Sequence, residues 1–277
     1  MREINSQQIT EAVKKLAMEA AVVLEPDILN ALKRAAQDES GLAHDVVELI
    51  LANAEIADKE NIPVCQDTGI SVVFVEIGQD VHVRGGLEES VQEGVRAAYD
   101  EGYLRKSVCD PITRKNTGTN TPAVIHFEVV AGDRVKISYL PKGCGSENMS
   151  GLKMLPPSSG TSGIIDYVAE TVVKAGPNPC PPVIVGVGVG GSFEKSALLA
   201  KKALLRPVGQ HHDRRDIAEL ELEILGRINA AGAGPLGFGG KNTALAVHME
   251  LFASHIASLP VAVNIQCHSH RHKEIII

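Results

Sequence analysis

The stretch Cys65-Gln66-Asp67-Thr68-Gly69 sets a thiol, an amide, a carboxylate and a hydroxyl side by side, and the apolar run Ile70-Ser71-Val72-Val73-Phe74-Val75 follows at once. A glycine before a β-branched run predicts a tight turn entering a strand. Polar side chains on a turn that rigid structure holds in place are well placed to bind and react. A thiolate ligates soft metals, and a carboxylate can take and return a proton.

The five cysteines stand at 65, 109, 144, 180 and 267, without a Cys-x-x-Cys pair. An odd number in a long chain does not fit a disulfide framework. Zinc ribbons, thioredoxin motifs and ferredoxin-type runs need close pairs. A site that draws single cysteines from distant loops stays open. Cys180 lies in Asn178-Pro179-Cys180-Pro181-Pro182. Proline beside a cysteine recurs at iron–sulfur sites, because it shapes the turn and offers no competing donor. Cys144 lies between Gly143 and Gly145, which let backbone come close to something bulky.

Other residues have two readings each. Arg105 and Lys106 follow a helix, where they neutralise its terminal carbonyls or bind a carboxylate. The polar turn Asn116-Thr117-Gly118-Thr119-Asn120-Thr121-Pro122 reads as a loop that satisfies its own backbone. Gly186, Gly188 and Gly191 match G-x-G-x-x-G, but no strand ending in an acidic residue follows about 20 residues on. A dinucleotide site is therefore the minor reading, kept as a nicotinamide-binding rival that calorimetry would test, and the weaker expectation is a helix N-terminus close to an anion. His255, before the last strand, reads as a core histidine. The tail His268-Ser269-His270-Arg271-His272-Lys273 reads as solvated or partner-binding, and Ile275-Ile276-Ile277 as a contact with another chain.

The positioning elements follow from periodicity. Ser6 is placed to cap a helix carrying Ile9, Val13, Leu16, Ala17 and Ala20, and Pro26 opens a second with Ile28, Ala31, Leu32 and Ala35. A third runs from Gly41 to about Lys59. Strands are expected over 70–77 and 81–83, with a helix over 87–103. Strands 123–130 and 134–140, joined by Ala131-Gly132-Asp133, give a hairpin signal. Helices are expected over 163–175, 194–205 and 213–231, and strands over 183–189, 243–249 and 259–266. The expected fold class is α/β: a helical segment over 1–60, then mixed β-sheets covered by helices over 61–277.

Composition agrees. Hydrophobic residues make up 44%, aromatics 3%, Trp is absent and Gly numbers 26, so the core must come from Val, Ile, Leu and Ala. A net charge of -7 argues against nucleic acid or an anionic membrane as partner. No basic stretch leads into an apolar block, and no segment reaches the roughly 18 apolar residues of a membrane span. These features predict a cytoplasmic protein.

In order along the chain stand Cys65-Gln66-Asp67-Thr68-Gly69, Asn116-Thr117-Gly118-Thr119-Asn120, Gly143-Cys144-Gly145-Ser146, Cys180-Pro181-Pro182, Gly237-Phe238-Gly239-Gly240-Lys241 and Cys267. Together these resemble, end to end, the alpha subunit of two-subunit class I fumarate hydratases. The alpha subunits of L(+)-tartrate dehydratases are similar. The resemblance implies a 4Fe-4S cluster held by Cys65, Cys180 and Cys267, with one iron not ligated by protein. It implies that Gln66, Asp67, Arg105, Gly145 and His255 line the substrate site, with Asp67 as acid/base group and Arg105 as carboxylate clamp. Cys144 would lie near the site without ligating, and Cys109 matches no ligand position. It implies a single alpha-subunit catalytic domain completed by a separate beta subunit, hence a hetero-oligomer. The expected reaction is reversible hydration of fumarate to (S)-malate. The alternatives are dehydration of L(+)-tartrate and, in another class, a non-catalytic iron–sulfur sensor or scaffold.

Overall fold

The computed structural model describes Met1–Ile277. Its elements in chain order are β1 (Arg2–Asn5), α1 (Ser6–Val22), α2 (Pro26–Asp38), α3 (Gly41–Glu60), β2 (Ile70–Gly78), β3 (Val81–Arg84), α4 (Leu87–Glu101), β4 (Val124–Val130) and β5 (Val135–Lys142). There follow α5 (Cys144–Glu147), β6 (Gly151–Leu155), α6 (Gly160–Ala175), β7 (Val183–Gly190), α7 (Phe193–Ala203), α8 (Arg215–Ala230), β8 (Ala244–Phe252), β9 (Leu259–Gln266) and β10 (Lys273–Ile276). The α/β class expected from composition is the one observed. No helix is long and apolar enough to cross a membrane.

The chain divides into two compact units. The first comprises Met1–Leu24, Ala54–Cys144 and Arg271–Ile277; the second comprises Glu25–Asn53 and Gly145–His270. The helical segment 1–60 is therefore shared: α1 belongs to the first unit and α2 to the second.

The first unit is built on a four-stranded sheet ordered β10-β5-β2-β4. α1 supplies the periodic stripe Ile9, Val13, Leu16, Ala17 and Ala20, all buried with Val91, Val95 and Ala98 of α4 and Val73, Val75, Ile137 and Tyr139 of the sheet. Each Val, Leu or Ile side chain among them contributes about 1.5–3 kcal/mol by leaving water. The α1 cap is Asn5 rather than Ser6: Asn5 Oδ1 accepts from Gln7 N at 2.9 Å, and Gln8 Oε1 accepts from Asn5 N at 3.0 Å. This reciprocal pair satisfies two otherwise orphaned backbone donors.

The expected hairpin does not form. β2 lies between β4 and β5, parallel to the first and antiparallel to the second. Val72, Val73, Phe74 and Val75 are all buried, so β2 needs cover on both faces and takes a central place. The 131–134 connection instead crosses the end of β2, where Gly78 N donates to Arg134 O at 2.8 Å and Asp80 N to Gly132 O at 3.0 Å. The tail also differs from expectation. Ser269, His270, Arg271 and His272 are buried, and β10 pairs antiparallel with β5. Ile275 and Ile277 pack on the first unit's own core, so that strand's partner is this chain itself.

The second unit carries a sheet ordered β6-β9-β7-β8. The central strand β7 shows why the glycine pattern misleads. Val183, Val185, Val187 and Val189 face a core shared with Ile164, Val168, Ile224 and Ile228 of α6 and α8. The alternate positions Gly186 and Gly188 face α7: a Cβ on Gly186 would stand 2.1 Å from Ala200 O, and one on Gly188 2.0 Å from Ser196 O. These glycines let helix and strand backbones touch, and they lie within the strand rather than on an anion-binding turn. Gly188→Ala should therefore lower stability by about 3 kcal/mol through forced helix displacement. Gly226→Ala, on α8 with nothing near the added methyl, should raise it by about 0.5–1 kcal/mol. Urea unfolding midpoints of the two variants against the parent check both signs.

Candidate functional site

The first unit carries the Cys65–Gly69 turn. Four bonds fix Asp67. Its backbone N–H points to Cys65 Sγ at 3.4 Å, its carbonyl accepts from Arg271 Nη2 at 2.9 Å, Oδ1 accepts from Gly69 N at 3.0 Å and Oδ2 accepts from Cys144 N at 2.8 Å. The carboxylate is thus oriented by two backbone donors and keeps lone pairs on each oxygen. Cys65 Sγ faces Gln66 Oε1 at 3.3 Å. Gly69 takes φ +77°, and a Cβ there would stand 2.8 Å from the Lys142 backbone, so the turn closes onto β5 only with glycine.

Arg105 is brought to the same turn. Thr68 Oγ1 donates to Arg105 O at 2.7 Å. Asn120, fully buried at φ 57°, accepts from Ser107 N at 2.7 Å and Val108 N at 3.2 Å on Oδ1, and donates from Nδ2 to Gly69 O at 3.1 Å. The Tyr99 hydroxyl donates to Thr68 O at 2.7 Å and reaches Gly69 O at 3.1 Å. Burial pushes the Tyr99 and Tyr139 phenols up from their ordinary range, so both remain protonated at neutral pH. The exposed Arg105 guanidinium itself makes no hydrogen bond or ion pair within the chain. Cys65, Gln66 and Asp67 therefore share one turn of the first unit, to which the Arg105 backbone is tied.

The second unit gathers Gly145, Cys180 and Cys267 at one end of its sheet. Ile184 of β7 pairs with Gln266 of β9, which places the residues just before β7 beside those just after β9. Cys180 O accepts from His268 N at 3.2 Å and lies 2.9 Å from His268 Nδ1, while Leu236 N donates to Pro181 O at 2.7 Å. Cys180 is exposed and takes φ 55°, a conformation that favours glycine and here turns the thiol-bearing residue between prolines. A Cβ on Gly145 would lie 3.5 Å from Asn178 O, two residues before Cys180. Ser146 Oγ points to Gln266 Oε1 at 3.5 Å, and Asn264 Nδ2 donates to Glu147 Oε2 at 3.0 Å. His255 is not part of this group. It is exposed on the loop after β8, whose end pairs with Gly190 at the far end of β7. An eight-residue strand separates the two ends, roughly 25 Å.

The Cys65, Cys180 and Cys267 side chains all have some exposure. Three soft thiolate donors on loops fit an iron–sulfur cluster by donor chemistry. No three His, Cys, Asp or Glu side chains are already gathered around a common point. The sequence reading overlooked Asn120, Tyr99 and Arg271 as site supports. Asn120 lay inside a motif already singled out, whereas Arg271 was hidden in a histidine-dense run that resembles a solvated tail.

Comparison with known proteins agrees with these motifs. The profile described as fumarate hydratase (Fumerase) matches residues 10–276. A Methanocaldococcus jannaschii protein named "Putative L(+)-tartrate dehydratase subunit alpha" is 43% identical over 272 residues, covering 95% of each chain. An L(+)-tartrate dehydratase subunit alpha from Escherichia coli O157:H7 is 33% identical over 286 residues, covering all of this chain and 94% of its own. Another, from Escherichia coli strain UTI89, is 34% identical over 280 residues, covering 98% and 92%. Members of this group are hydro-lyases, and relatives named as alpha subunits imply a partner subunit. With a family match across nearly the whole chain, and with Cys65, Asp67, Arg105, Cys180 and Cys267 all inside it, the chain belongs to the fumarate hydratase (Fumerase) family.

Proposed function

We propose that this chain is the cluster-bearing alpha subunit of a hydro-lyase that, with a separate beta subunit, reversibly hydrates fumarate to (S)-malate. The observation that carries this reading is the family match over residues 10–276. Cys65, Cys180 and Cys267 would hold a 4Fe-4S cluster; when bound, a cluster with one iron free of protein ligands supplies a Lewis acid for substrate oxygens.

The chain's own residues do the rest. Arg105 presents an unpaired guanidinium, whose fork matches a carboxylate bidentately. Gln66 offers an amide beside Cys65, and Gly145 a backbone position where no side chain blocks approach. Asp67, pinned by Gly69 N and Cys144 N, is the acid/base group that takes up and returns a proton as water adds across the alkene. Hydrogen bonding by two rigid donors spares it reorganisation during that transfer. Within the second unit His255 lies at the opposite end of the sheet from Cys180 and Cys267, for the reason of strand register given above. The partner subunit would supply the remaining group, and the cytoplasm is the compartment that suits free thiols and an oxidation-sensitive cluster.

The relatives' names favour a second substrate of the same class, L(+)-tartrate. Both are four-carbon dicarboxylates. The chain should be co-expressed with its beta subunit, purified without oxygen and assayed for fumarate hydration and L(+)-tartrate dehydration side by side. A higher kcat/KM for fumarate upholds the proposal, and the reverse order transfers it to tartrate. Full cluster content with neither activity would leave the sensor or scaffold reading in its place.

Three variant sets extend the test. Cys65→Ser, Cys180→Ser and Cys267→Ser should each lose most of about four irons and four sulfides per chain, while Cys109→Ser and Cys144→Ser keep them, as read by iron and acid-labile sulfide analysis. Arg105→Met should raise KM for the dicarboxylate about 30-fold, measured by steady-state kinetics. Asn120→Ala removes three hydrogen bonds, one buried and two part-buried, that join the Arg105 segment to the turn, and should lower unfolding free energy by about 2–3 kcal/mol in a urea titration.

A further inference from the structure

Arg271 is the largest wholly buried side chain of the protein, with 1% of its surface exposed. Such a side chain normally lies against a carboxylate. Arg271 has none: its one hydrogen bond runs from Nη2 to the Asp67 carbonyl, and Nε and Nη1 have no acceptor. Lys142 of the same unit is also fully buried, and its backbone faces Gly69 at the root of the same turn. The charge of Arg271 reaches Tyr99 and Tyr139 as well, where it opposes the effect of burial on both phenols.

An uncompensated buried guanidinium is a poor device for stability. Its desolvation costs several kcal/mol, and apolar replacement of buried charges is often neutral or stabilising. Its presence calls for another role, and its single bond shows where that role acts. The Cys65–Gly69 turn carries a thiol that must be anionic to ligate and a carboxylate that must stay in place. In a low-dielectric interior a fixed cation beneath that turn attracts anions at its mouth far more strongly than a solvated one.

We propose that Arg271 is a positioning residue for the hydration site: it holds the Asp67 carbonyl and supplies fixed positive charge that favours an anionic dicarboxylate above the turn. This rests on the hydro-lyase reading for its substrate, but its hold on the turn stands independently of it.

The test uses Arg271→Met, which removes charge and fork, and Arg271→Lys, which keeps the charge and loses the fork. In the full chain, hydrogen–deuterium exchange of the peptide covering residues 64–69 should be slowest in the parent, faster in Arg271→Lys and fastest in Arg271→Met, with the β7–β9 peptides unchanged. In the complex with the beta subunit, Arg271→Met should raise KM and lower kcat about tenfold each, about 1.4 kcal/mol apiece. Arg271→Lys should restore KM to within about threefold of the parent while kcat stays low.

Equal exchange at residues 64–69 in all three proteins overturns the proposal, and so does a general rise in exchange across both units, which marks a structural role only. Parent kcat and KM in Arg271→Met overturn it too. Should Arg271→Met not fold, the comparison of Arg271→Lys with the parent decides by the same two readouts. If the parent complex hydrates neither substrate, the hydro-lyase reading fails while the exchange result still decides whether Arg271 holds the turn.

Discussion

Every polar atom of Asp67 is bonded inside the first unit, and the shape of the Cys65–Gly69 turn depends on it. Backbone N and O are engaged by Cys65 Sγ and Arg271, and the two carboxylate oxygens by Gly69 N and Cys144 N. Two bonds from within the turn and two from residues far along the chain, Cys144 and Arg271, converge on one aspartate. Removing any one leaves a partly buried polar group to find water or go unpaired. The thiol at 65, the amide at 66 and the cation at 105 inherit their positions from this knot, directly or through Thr68 and Asn120. A reactive group seated this way is oriented before any ligand arrives, which is how rigid sites lower the reorganisation demanded by a reaction.

The second unit solves a different problem by different means. Cys180 and Cys267 flank β7 and β9 at one end of the sheet, so strand register alone brings them together. That register is enforced by β7, whose valine face is buried against α6 and α8 while its glycine face lets α7 come within backbone contact. A slip of one residue would turn valines onto α7 and glycines onto the core, and both faces would fail. At the edge of this unit Glu39 accepts from Lys241 N at 2.8 Å and from Asn242 N at 2.7 Å, which anchors the end of the Gly237–Lys241 loop. Arg206 is likewise held by Glu221 and Glu250, both at 2.6 Å. Buried charges here are paired, in contrast to Arg271.

That contrast separates structural from functional polarity in this protein. Glu221 is buried at 2% exposure, yet it accepts from Arg206 Nη1 and from Met249 N, so its desolvation is offset locally. Arg271 has no such compensation. Stability requirements account for the first and leave the second unexplained, which is why the second bears on function.

Much of the candidate site was legible from the chain alone. The run Cys65–Gly69 before an apolar strand, the proline-flanked Cys180 and the ordered motifs that follow specify residue types, turns and family, because these depend on local geometry and side-chain chemistry. The α/β class followed from an aliphatic, glycine-rich composition and from helix periodicity. Strand neighbours did not follow. β4 and β5 look like a hairpin locally, yet β2 outcompetes that pairing because its two apolar faces must both be buried. Gly186 and Gly188 look like an anion-binding loop, yet they serve helix contact. The basic tail looks solvated, yet it folds inward as Arg271 and β10, since Ile275 and Ile277 gain more from the first unit's core than from water. Sequence by itself determined which chemistry the protein carries; only the tertiary structure decided which groups share a turn, because hydrophobic burial of whole strands outweighs any local preference at their ends.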